Sequence, residues 1–149
     1  MELDELSLGG ARFVRDPDLA AVAVPADGDA PSAALWVTQK PRLAVVRTAE
    51  VGEPAVAPVY RSEPGGVLAV PTGRVFVRFA GDTAEGVGDA ILRDAGYRAE
   101  EKPSWAPHSA WVTALRGGAF EALARLPLLR ARSEVELAEP ELLRPSAKR

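Results

Sequence analysis

The sequence contains no cysteine and a single histidine, His108, among 149 residues. The first absence removes disulfides, thiolate zinc sites and thiol nucleophiles. A lone histidine with no carboxylate beside it cannot build a metal-ligand set, so no metal and no cofactor is expected. A basic excess is missing as well. Up to Arg74 the chain holds 7 basic and 10 acidic residues, from Val75 onward 11 of each, and the net formal charge is -3. Without clustered positive charge there is little counterion release to gain, so nucleic acid is not an expected partner. No run approaches the roughly 20 apolar residues of a membrane span, and no membrane association is expected. The start, Met1-Glu2-Leu3-Asp4-Glu5, is acidic where a signal peptide is basic. The expected location is cytoplasmic for the chain as it stands, and open if it is a piece of a secreted precursor.

What is present is ordinary globular material, 47% hydrophobic and 26% charged, enough to bury a core. Thirteen prolines and thirteen glycines announce many turns. Residues 1–72 read as a small β-rich region. The Val- and Ala-rich runs Leu19–Val24, Ala34–Gln39, Leu43–Arg47 and Val56–Ser62 are separated by Pro/Gly/Asp turns. Glu63–Gly66 is expected to close a hairpin between Val59–Arg61 and Val67–Val70.

From residue 73 the pattern sharpens. Arg74–Ala80 alternates, with Val75, Val77 and Phe79 on one face and Arg74, Phe76 and Arg78 on the other. Asp82-Thr83-Ala84-Glu85 has capping-box spacing, and Ala84, Val87, Gly88, Ile91, Leu92 and Ala95 form a helical stripe ended by Gly96. Strands are expected at Tyr97–Glu101 and Ser109–Leu115, and a helix over Gly117–Leu126 with Ala119, Ala122, Leu123 and Leu126 inward, stopped by Pro127. A last strand alternates Leu129, Ala131, Ser133, Val135 and Leu137 with Arg130, Arg132, Glu134 and Glu136. The expected fold is α+β: a ferredoxin-like β-α-β-β-α-β plait over 73–143, with strand order 4-1-3-2, behind the β-rich region and ahead of a tail, 144–149. Both helices should cover one sheet face and leave the other bare.

Arg74-Val75-Phe76-Val77-Arg78-Phe79, Asp94-Ala95-Gly96-Tyr97, Ala110-Trp111-Val112-Thr113-Ala114-Leu115 and Val135-Glu136-Leu137-Ala138-Glu139-Pro140-Glu141 together carry a resemblance. Residues 55–143 look like the propeptide-type domain that precedes bacterial subtilisin-like serine proteases. The resemblance implies a non-catalytic partner that inhibits such a protease or assists its folding. It implies that residues after Leu137 lie substrate-like in the protease cleft, with Glu139 and Glu141 capping helix N-termini of the enzyme. Leu142, Leu143 and Arg144 would enter the same cleft. The protease does not follow, and its Gly-Thr-Ser nucleophile segment is absent, so the chain is either a fragment of a precursor or a relative acting in trans.

The bare face is the second candidate surface, presenting Phe76, Arg78, Arg130 and Arg132 among mixed charges; a merely solvated face accounts for the same pattern. A frayed, Pro-rich terminus is likewise the plain account of the tail. Trp105 and Trp111 read as core or loop anchors and His108 as a loop residue. Glu85-Gly86-Val87-Gly88-Asp89 fails as a phosphate loop, since both glycines fall inside the helical stripe. The alternative to a protease-directed domain is a stand-alone interaction or scaffolding module that has lost any protease partner. A small-molecule enzyme or sensor would need a deep polar pocket that no motif announces.

Overall fold

The computed structural model describes residues 4–8, 10–52 and 54–145. Among these the chain is an α+β protein with nine strands in an antiparallel sheet. It divides into two compact units, residues 73–141 and residues 4–72 together with 142–145.

The unit that includes residues 4–72 holds β1 (Glu5–Leu8), β2 (Ala11–Ala23), β3 (Trp36–Val37), β4 (Leu43–Arg47), β5 (Ala57–Glu63) and the start of β6 (Leu68–Phe79). The strands lie in the order β3-β4-β2-β5-β6, with β1 also paired to β2. β2 begins eight residues before the expected Leu19. Its pairing with β5 shifts register between Arg15 and Ala20, the stretch that holds Pro17. Proline has no N–H to give the ladder, so the strand continues past it only through an irregularity. The expected strand Ala34–Gln39 shrinks to Trp36–Val37. Val22, Val24, Ala44 and Val46 pack with Ala30, Ala34, Val37 and Val51 on one sheet face. The Glu63–Gly66 hairpin forms as expected, with Ser62 and Val67 joined by backbone bonding and both glycines at positive φ.

The other unit contains the rest of β6, α1 (Glu85–Ala95), β7 (Tyr97–Glu101), β8 (Ser109–Ala114), α2 (Gly118–Ala124), α3 (Leu126–Arg130) and most of β9 (Val135–Leu143). β9 pairs with β6, β6 with β8, and β8 with β7. Val75, Val77 and Phe79 are buried, as are Ile91, Leu92, Ala95, Ala119, Ala122 and Leu123 from the helices. Tyr97 closes this core by donating its hydroxyl to the carbonyl of Ala122. The two strands expected around Thr72-Gly73 are one. Gly73 sits at φ 98°, and a Cβ there would lie 3.6 Å from the amide of Ala119. Glycine lets the strand pass through a conformation other residues resist.

Three local readings need correction. The capping box is not made: α1 starts at Glu85 with Ala84 as its N-cap, and alanine has no side-chain acceptor for the first amides. Ala84 and Val87, expected in the core stripe, are exposed. Pro127 does not stop a helix but opens one. It occupies the first turn of α3, where its missing N–H would have had no partner anyway. Leu129 is therefore a fully buried helical residue, and the last strand starts at Val135. Within β9, Val135 and Leu137 are half-buried, while Ala138 and Pro140 are buried.

Candidate functional site

Register places a row of side chains on the sheet face opposite the core of this second unit. Phe76 on β6 stands across from Trp111 on β8, Arg78 across from Ser109, and Arg74 across from Thr113. Cross-strand partners share a face, so Arg74, Phe76, Arg78, Ser109, Trp111 and Thr113 point the same way. The rings of Phe76 and Trp111 meet edge to face with centroids 5.0 Å apart. Trp105, from the loop before β8, runs parallel to Phe76 at 6.4 Å and remains 75% exposed. The guanidinium of Arg74 lies 4.3 Å from the Trp111 ring centre, a cation–π contact.

Charges ring this aromatic group. Arg74 reaches Glu100 at 3.0 Å, Glu101 at 3.3 Å and Glu141 at 3.8 Å, and Arg78 reaches Glu136 at 3.4 Å. Such solvent-exposed pairs add little stability. They do tether both arginines, with four glutamates against two guanidinium groups. Ser109 Oγ and Thr113 Oγ1 are buried, and neither has a hydrogen-bond partner among the described residues. The face carries aromatic surface and ordered charge. Among the described residues no group of three or more His, Cys, Asp or Glu is placed to hold a metal ion.

The candidate residues named from the sequence separate into three groups. Phe76 and Arg78 lie on this face. Arg130 and Arg132 do not: Arg130 is on α3 and donates Nε and Nη2 to the carbonyl of Ala138 at 2.9 and 2.7 Å, and Arg132 follows in the turn, 3.7 Å from Glu134. Both belonged to the face only while residues 129–134 counted as strand. Glu139, Glu141, Leu142 and Leu143 are half-buried members of β9 and not a trailing segment. Arg144 is exposed, with its guanidinium 5.8 Å from the ring centre of Phe13. Of the tail, residues 146–149 lie outside the described residues.

No protein-family model, curated protein or solved structure matches the chain.

Trp105 and Trp111 are the residues that the reading as anchors undervalued. Trp111 was legible, since it shares the parity of Ser109 and Thr113 in a strand that alternates them with the apolar Ala110, Val112 and Ala114. Trp105 was not, because it stacks on Phe76 from a loop 29 positions on, and no periodicity relates the two.

Proposed function

We propose that the chain is a non-catalytic protein-binding module that docks through the Phe76–Trp105–Trp111 face. The second unit is read as a ferredoxin-like plait, a reading supported by the chain order of its elements and by the pairing of β9 with β6, β6 with β8 and β8 with β7. The observation that carries the proposal is the exposed Trp105 stacked on an aromatic pair and ringed by paired charges. Protein interfaces concentrate their energy in such aromatic and arginine centres with polar rims. The stacking on Phe76 holds an exposed indole in place, which spares a partner part of the cost of ordering it.

A subtilisin-like serine protease is the partner that the resemblance over residues 55–143 implies. The resemblance also placed residues after Leu137 in the protease cleft. With β9 running to Leu143, only residues from Arg144 onward are left for that role, so the weight of binding moves to the sheet face. The test is inhibition of a bacterial subtilisin-like protease acting on a chromogenic peptide. The intact chain should inhibit, and Trp105→Ala should weaken inhibition at least about tenfold, as hot-spot tryptophans do. Its melting temperature should stay within about 2 °C of the parent, because the ring is exposed. Equal inhibition by parent and variant would remove the face from the mechanism. No inhibition by either leaves the stand-alone interaction module as the reading, tested by comparing proteins captured by parent and Trp105→Ala.

A further inference from the structure

We infer that a cleft of about 270 Å³ at the start of α1 binds a small hydrophobic amine, a ligand site that shares only Ser109 with the aromatic face. Its floor and walls are mostly apolar: Phe79, Leu92, Pro103, Ala106, Pro107 and Ala110. The space is nearer to a single ring with a short chain than to a drug-sized ligand. Gly88 contributes to the lining by lacking a side chain, since a Cβ there would press within 3.2 Å of the Phe79 ring.

The outer wall is preformed. Two prolines stiffen the loop at residues 102–108, and backbone bonds from Ala106 to Pro103 and from Ser109 to Ala106 hold its turns. The Phe79 amide donates to the His108 carbonyl at 2.8 Å and fastens the wall to β6. A wall that needs no ordering on binding keeps more of its contact energy.

The rim selects the sign of the ligand. Glu85 and Asp89, one helical turn apart on α1, face the single ammonium of Lys102 at 3.1 and 3.0 Å. Two carboxylates thus face one ammonium across the mouth, and their hydrogen bonds, Asp89 first and then Glu85, raise the Lys102 pKa. Free amides at the start of α1 would favour an anion, but these acids within the first turns oppose it. Lys102 already occupies the position that a ligand ammonium would take, at the mouth of an apolar cleft. An arriving amine would therefore share or displace it, burying its ring below.

The experiment is a titration of the full-length, isotope-labelled protein followed by amide NMR shifts. The three probes are 2-phenylethylamine, 2-phenylethanol and phenylacetate. The amine should bind in the millimolar range expected of so small a ligand and shift amides of residues 83–89 and 102–110. The alcohol should bind at least about threefold more weakly and phenylacetate more weakly still, since a charge-assisted bond is lost and then reversed. Lys102→Met should tighten the amine about threefold or more by vacating both carboxylates. Glu85→Gln with Asp89→Asn, two surface changes that spare the core, should bring the amine down to the level of the alcohol. The inference is overturned if no probe shifts these amides at millimolar concentration, if phenylacetate binds as well as the amine, or if Lys102→Met leaves the amine unchanged or weaker.

Discussion

Ser109 illustrates how far a single residue can be judged from its surroundings. Its hydroxyl is buried beside Arg78 and makes no hydrogen bond among the described residues. A desolvated, unpaired hydroxyl costs about 1–3 kcal/mol, whereas an alanine methyl in the same space costs nothing of the kind. Ser109→Ala should therefore leave urea stability unchanged or raise it by up to about 1 kcal/mol. A loss of more than about 1 kcal/mol would mean that the hydroxyl has a partner, such as a bound water, which serine needs. His108, its neighbour, contributes through its backbone: at φ 68° it turns the chain so that its carbonyl meets the Phe79 amide. Nothing in the spelling Pro107-His108-Ser109 reveals that conformation, because only the constraint from both flanking segments makes it worthwhile.

Among the elements, β9 changes the functional argument most. Read as a strand ending near Leu137, it leaves a free segment to enter a cleft; as Val135–Leu143, it commits Glu139 to Leu143 to the sheet. The alternation that suggested an earlier start, Leu129 to Leu137, is also compatible with a short helix followed by a turn. Leu126 and Leu129 are three apart and both fully buried, as one helix face requires. Deleting residues 142–149 is thus expected to lower the melting temperature by several degrees, since it removes half-buried Leu142 and Leu143 from the unit of residues 4–72. Differential scanning calorimetry of the truncated chain decides this. An unchanged melt would return the segment to the status of a tail.

For the molecule as a whole, the clearest electrostatic expectation concerns alkaline pH. Burial pushes the Tyr97 phenol well above its ordinary value, against a smaller downward pull from Arg125 and Arg130. The group is neutral in both folded and unfolded chains below about pH 10, so its contribution is fully present there. Above that the unfolded chain releases the proton while the folded one holds it, and stability falls by about 1.4 kcal/mol per pH unit until the raised folded value is reached. Tyr97→Phe should cost about 1 kcal/mol at neutral pH through the lost bond to Ala122, yet show a shallower decline between pH 10 and higher values. Parallel declines in urea melts of parent and variant would assign the alkaline loss elsewhere.

By itself the sequence determined the α+β class, the alternation of β6 and β8, the core stripe of α1 from Gly88 to Ala95 and its end at Gly96, and the hairpin at Glu63–Gly66. Each of these is written in neighbours a few positions apart, where side-chain parity, helical spacing and the conformational freedom of glycine act locally. Tertiary structure decided the rest. The length of β2 and β9 depends on whether a second strand is there to pair with. The role of Pro127 depends on whether Leu129 finds a core. The stacking of Trp105 on Phe76 and the gathering of Glu85, Asp89 and Lys102 at one cleft bring together residues whose spacing along the chain has no period. Long-range contacts reward a local conformation only once the whole sheet has formed, and no local pattern records that reward in advance.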